Sequence, residues 1–235
     1  MSKQAAVIGL GRFGMNLAIA FHDAGYQVLA IDRASNLVEN IATQVTHAVR
    51  ADATNEAALR KLGIDSYDVA VVTIGTSIQD SVMATILLKK MGVRYIVARA
   101  DSELHGEILT SIGADKVIFP EKDTAIRSAP ILTMHGVFDF IPLENGSGVV
   151  KAKATPYFIG KTLRDIGFSF GEKTGVVVLM IQRGKEAIIN PGDSEVVSHI
   201  DYLIIVGNNI DIDKMLEKAE KAKESPAKNK EADYN

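Results

Sequence analysis

Three glycines, an arginine and two carboxylates near the N-terminus have the types and spacing to hold a phosphate chain and a ribose. Gly9, Gly11 and Gly14 form a Gly-x-Gly-x-x-Gly run with Arg12 and Phe13 inside it. In such a run the first glycine permits a tight turn, the second lets the backbone approach a pyrophosphate, and the third lets a helix pack closely on a strand. The helix N-terminus that follows offers free N–H groups and a positive dipole end to phosphates. Asp32, eighteen residues after Gly14, can accept from ribose hydroxyls, which favours a free 2′-OH over a 2′-phosphate. Arg12 can fold back over a phosphate chain and points to a polyphosphate such as ATP or ADP; a solvated surface arginine is the plainer alternative. Asp52 follows a third apolar run. It either accepts from an adenine amino group or caps a helix, a role Thr54 could also take. Arg33 and Ala53 adjoin these acids, and Thr73-Ile74-Gly75 closes a fourth run over the same crevice.

The elements that position these residues read as alternating strands and helices. Apolar or β-branched runs at 5–10, 27–31, 46–50, 69–74, 95–99 and 116–119 are expected as buried parallel strands. Helical patterns lie between them at 13–24, 37–43, 56–62, 78–91 and 103–112, with Ser77 as a cap for the fourth. Gly25, Gly63, Gly92 and Gly113 fall just past helical stretches, where a left-handed residue is wanted. Repeated βα units predict a Rossmann-like doubly wound parallel sheet over residues 1–120. A helix and linker over 121–136 lead into a small α+β domain over 137–223. Its strands are expected at 137–142, 149–154, 176–182, 187–189 and 202–206, and its helices at 162–166 and 211–223. Residues 224–235 are polar and read as a solvated tail.

Bulk composition narrows the function. The 235 residues carry a formal net charge of -3, which gives no electrostatic footprint for nucleic acid. The absence of cysteine excludes disulfides, thiolate nucleophiles and cysteine-based zinc sites. No signal-peptide pattern and no bilayer-length apolar run is present, so a cytoplasmic protein is expected, reaching a membrane only through a partner.

Together, Gly-Leu-Gly-Arg-Phe-Gly at 9–14, Gly-Ala-Asp-Lys-Val-Ile-Phe-Pro-Glu-Lys-Asp at 113–123 and Ile-Gly-Lys-Thr-Leu at 159–163 resemble the RCK (KTN/TrkA-type) regulatory subunits of potassium transporters, nearest their Ktr branch. The resemblance implies a dimerising Rossmann domain, a crossover helix and an RCK C-terminal domain. It implies an octameric ring, a tetramer of dimers, docked on a KtrB-like membrane subunit that conducts potassium. ATP would support the active ring and ADP the inactive one, with NAD(H) also able to occupy the site. Carried over residue by residue, it assigns Gly9, Gly11 and Gly14 to the phosphate cradle, Arg12 to phosphates, Asp32 to ribose and Asp52 to adenine. Arg99 matches a basic position near the nucleotide. Glu121 matches an acid that approaches the terminal phosphate and helps hold Mg²⁺ or Ca²⁺ between protomers; read alone, Glu121 is a first-turn acid near a helix dipole. Some relatives bind cyclic di-AMP through an arginine after the short helix, but here 166–174 contains none.

An NAD-dependent oxidoreductase is the competing expectation. It needs an acid or base beside the nicotinamide, yet His22, His47, His105, His135 and His199 form no recognisable catalytic spacing with an acid. An ATPase lacks support because no GxxxxGK[ST] loop is present. A non-enzymatic regulator is therefore expected.

Overall fold

Successive strands of the N-terminal half each deliver a helix from their carboxyl end, and the parallel hydrogen bonding stacks those ends along one edge. The computed structural model describes residues 3–168 and 175–224. The chain divides into two units, Met1–Glu121 and Lys122–Asn235. In the first, six parallel strands stand in the order β3-β2-β1-β4-β5-β6. They are β1 (Gln4–Ile8), β2 (Gln27–Asp32), β3 (His47–Arg50), β4 (Val69–Val72), β5 (Ile96–Arg99) and β6 (Lys116–Ile118). The helices are α1 (Arg12–Asp23), α2 (Ser35–Ile41), α3 (Glu56–Lys61), α4 (Ile78–Lys90) and α5 (Glu103–Ser111). The strand order reverses between β1 and β4, the switch point where open α/β sheets take ligands.

Alternation along the strands builds a core on each face. Ala6 and Ile8 of β1 join α3, α4 and α5 residues such as Leu59, Leu88 and Leu109. Val7 turns the other way and packs with Ala18 of α1 and Val38 and Ile41 of α2. β1, β4 and β6 end a residue or two earlier than their apolar runs. β1 stops at Ile8 because Gly9 takes φ +99°, and Thr73-Ile74-Gly75 lies beyond β4. Gly25, Gly63, Gly92 and Gly113 all have positive φ where helices close. Ser77 caps α4 through Asp80 N–H. The cap expected of Asp52 or Thr54 belongs instead to Asn55, whose side chain accepts from the N–H groups of Ala57 and Ala58. An N-cap must immediately precede the first helical residue, and only Asn55 does.

Helix α6 (Pro120–Thr133) starts in the first unit and continues into the second, with Pro130 inside it. The second unit is an antiparallel sheet in the order β10-β9-β11-β8-β7, formed by β7 (Val137–Pro142), β8 (Ser147–Lys153), β9 (Val176–Arg183), β10 (Glu186–Ile189) and β11 (Asp201–Asn208). Short α7 (Leu163–Ile166) and α8 (Asn209–Glu224) supply Leu163, Ile212 and Leu216 to a core with Val150, Leu203 and Ile205. Thr162 and Asp165 form a capping box at α7. Buried Asp201 receives two hydrogen bonds from Arg183 and one from Ser198 N–H. The tail at 225–235 and most of the arginine-free segment, 169–174, lie outside the described residues.

Candidate functional site

A cleft of about 470 Å³ opens at the carboxyl edge of the parallel sheet, within the usual size range for small-ligand sites. It is lined by the β1–α1 turn, the ends of β2 and β3, the segment after β4, Arg99 and Glu121. Of the residues singled out in the sequence, Gly9, Gly11, Arg12, Phe13, Asp32, Arg33, Asp52, Ala53, Thr73, Ile74, Gly75, Arg99 and Glu121 all line it, and Gly14 is buried just behind.

The three glycines answer to different constraints. A Cβ on Gly14 would overlap the Gly9 carbonyl oxygen and the Thr73 hydroxyl, so α1 seats on the turn only without one. Gly9 combines φ +99° with Ile74 N at 3.0 Å from the position of a Cβ. Gly11 has φ −62° and ψ 179°, open to any residue, and a Cβ there would meet no protein atom within 4 Å. The fold therefore makes no steric demand for glycine at position 11. Gly11 is also the N-cap of α1, with no side-chain cap hydrogen bond and no acid in the first turn. Among the described residues no side chain caps the first-turn N–H groups, and the turn itself carries no acid.

Asp32 has structural partners of its own. Its Oδ2 accepts from Leu10 N–H at 2.7 Å and its Oδ1 from Ala34 N–H at 2.8 Å. The carboxylate thus ties the glycine turn to the end of β2, and each oxygen keeps a further lone pair for a hydroxyl. Asp52 accepts from both the hydroxyl and the N–H of Thr54 through Oδ1. The Thr54 hydroxyl above all, then its amide, holds the Asp52 carboxyl below the usual carboxylate range. It is an ionised acceptor at neutral pH. Thr73 turns its hydroxyl inward, 2.6 Å from Gly9 O and 3.0 Å from Ile8 O, and so braces the turn.

The basic residues divide by partner. Arg33 pairs with Asp80 at 3.2 Å. Arg99 sits where Gly75 has no Cβ, since one would overlap its guanidinium. Its Nη2 lies 2.9 Å from Asp101 and 3.0 Å from Glu121, while its Nε is buried without a hydrogen-bond partner. Arg12 is exposed at the start of α1, and its guanidinium makes no ion pair or hydrogen bond with the described residues. No group of three His, Asp or Glu side chains able to hold a metal occurs among the described residues. Sequence reasoning missed Leu37, Thr54, Thr76 and Asp80, which also line the cleft. Their only signal is position in the segments after β2, β3 and β4. No described histidine lines it; His105 is buried in α5, and His47, His135 and His199 are exposed. No helix among the described residues is long and apolar enough to cross a membrane.

Known proteins share this architecture and sequence. The TrkA-N domain model matches residues 5–120 and the TrkA-C domain model residues 149–219. The Ktr system potassium uptake protein C of Bacillus subtilis (strain 168) is 37% identical over 212 residues, covering 90% of this chain and 95% of that protein. The Ktr system potassium uptake protein A of Vibrio alginolyticus is 37% identical over 205 residues, covering 87% and 92%. The crystal structure of the GsuK RCK domain superposes with a TM-score of 0.62 at 16% identity, over 92% of this chain and 48% of that one, a likeness of fold. The two Ktr relatives are potassium uptake proteins rather than enzymes, and with two TrkA domain models matched in order along the sequence, the chain belongs to the family of the Ktr potassium uptake proteins.

Proposed function

We propose that this chain is the nucleotide-sensing regulatory subunit of a potassium uptake system. Copies of it form a ring, a dimer-based octamer, docked on a membrane potassium-transporting subunit from the cytoplasmic side. ATP or ADP in the cleft sets the conformation of that ring, and NAD(H) is a possible occupant of the same site. The observation that carries the reading is Gly11: a glycine without a steric reason in the protein, at the uncapped end of α1. A group pressed against that backbone supplies the reason, and phosphate oxygens suit the free N–H groups.

The other residues fall into roles around that contact. Arg12 brings a cation without a partner among the described residues to the same helix end. Asp32 keeps lone pairs for ribose, Asp52 for an adenine amino group, and Leu37 and Ala53 add apolar surface. Glu121, on the same cleft, can share Mg²⁺ or Ca²⁺ with phosphate oxygens and a second copy's Glu121, because hard cations take such oxygen ligands. Exposed Met83 and Ile86 on α4 and Leu104 and Ile108 on α5 supply apolar surface for self-association. A nucleotide changes the ring only through unequal affinity for its two states, and a terminal phosphate reaching Arg12 is one source of that inequality.

Calorimetric titration of the purified chain with ATP, ADP and NADH, with and without Mg²⁺, tests this alongside light scattering for mass. Adenine-nucleotide binding by a large assembly, without turnover, is the expected result. Exclusive NAD(H) binding by a small oligomer would overturn it.

A further inference from the structure

One guanidinium in the cleft wall is claimed by two carboxylates of unequal exposure. Arg99 Nη2 makes an ion pair with Asp101 at 2.9 Å and donates to Glu121 at 3.0 Å. Asp101 has 35% of its side chain exposed and Glu121 69%. The more exposed pair is the weaker, because water screens it and side-chain freedom opposes it. Asp101 stands two residues beyond the end of β5, next to Ala100, whose N–H donates to Ile118 O. It holds Arg99 from the segment that follows β5. Glu121 stands in the first turn of α6, and none of that helix's fourteen residues is buried. The grip of Arg99 on Glu121 is one tie on the start of α6, the helix that leads on from Glu121.

We propose that Arg99 is an exchange contact: Glu121 and the phosphate tail of a nucleoside triphosphate compete for its guanidinium, so that ligand binding loosens the first turn of α6 while Asp101 keeps Arg99 in place. The proposal deepens the nucleotide reading and rests on it. Competition for one donor group is reciprocal. Whatever Glu121 takes from ligand affinity, the ligand takes from the hold on α6. The seat is built for such an exchange, since Gly75 leaves the space in which the guanidinium lies. The Asp101 carboxylate fixes the position of the charge whichever second anion it meets.

The test titrates the full chain with ATP and with adenosine in chelator, which removes any cation-bridging role of Glu121. Glu121→Gln should tighten ATP about two- to fivefold, the worth of an exposed ion pair, and leave adenosine unchanged. On an Arg99→Gln background the same change should have no effect, because the contested donor is gone. Arg99→Met, which also removes the donor, serves as a second background. In the parent, saturating ATP should speed amide exchange in the first turns of α6 about two- to fivefold, and in the Arg99 variant it should not. An equal gain from Glu121→Gln with and without Arg99 would reduce the effect to general charge repulsion and overturn the exchange. Unchanged ATP affinity in Glu121→Gln would overturn it as well. Failure of the parent to bind ATP would overturn both this proposal and the nucleotide reading, whereas parent binding with an additive cycle removes the exchange alone.

Discussion

Adding one methyl group at Gly11 and one at Gly14 should have opposite consequences. At Gly11 the backbone is already in a conformation open to alanine, and the new Cβ meets no protein atom within 4 Å. Two small effects then oppose each other. Alanine restricts the unfolded chain and stabilises by about 0.4–1 kcal/mol, while an alanine N-cap is poorer than glycine by a similar amount. The net change in stability should lie within about 0.5 kcal/mol. At Gly14 the Cβ overlaps the Gly9 carbonyl oxygen and the Thr73 hydroxyl, both held by the turn itself. Overpacking there costs about 1–3 kcal/mol, and disturbing the Thr73 hydrogen bond adds about 1 kcal/mol. Binding reverses the order of interest. If phosphate oxygens press on the Gly11 backbone, Gly11→Ala holds them off the α1 N–H groups and loses at least one charge-assisted hydrogen bond. That is about 1.5–3 kcal/mol, or roughly ten- to 150-fold in ATP affinity. Denaturant unfolding of each variant, paired with calorimetric ATP titration, measures both quantities. Parent-like ATP affinity in Gly11→Ala would refute phosphate placement at this turn. Parent-like stability in Gly14→Ala would refute the packing argument.

Arg12→Ala should weaken ATP by about tenfold and NADH by less, because the free guanidinium is matched to a terminal phosphate; equal losses in parallel titrations would sink that assignment. Asp32→Asn puts an amide donor against Leu10 N–H or Ala34 N–H, so it should cost about 1–3 kcal/mol of stability and weaken ATP and NADH alike; undiminished affinity for both would move the ribose elsewhere. In the second unit, burial pushes the Asp201 carboxyl up, but hydrogen bonds from Arg183 and from Ser198 N–H outweigh that and hold it below the usual range. Its stabilisation is full above the unfolded value near pH 4 and is lost as pH falls through the lower folded value. Asp201→Asn should therefore destabilise that unit by about 2–4 kcal/mol at neutral pH and flatten its acid limb, and an equally steep limb in the variant would contradict the pairing.

What the sequence made legible follows from how local each constraint is. The βα alternation, the positive-φ glycines and the Ser77 cap depend on residues a few positions apart, and all are present in the structure. The gathering of Gly9, Asp32 and Asp52 at one edge follows from parallel pairing in which each strand ends on the same side. The α3 cap was misread because Asp52, Thr54 and Asn55 are all competent oxygens, and only backbone geometry decides which one stands next to the first helical residue. The second duty of Asp32, accepting from Leu10 and Ala34, was hidden for another reason. A motif names a residue by its ligand, while the same carboxylate also meets backbone groups brought to it by β1 and by its own turn. The Arg99–Glu121 pair is the least local case. Its partners lie in different βα units and meet because β5 and β6 pair with Arg99 opposite Ile118, three residues before Glu121. Shifting that register by one residue would turn every β6 side chain to the other face. The contact that we assign to ligand exchange is thus a property of strand pairing, and a sequence motif that marks Arg99 and Glu121 separately carries no sign that they compete.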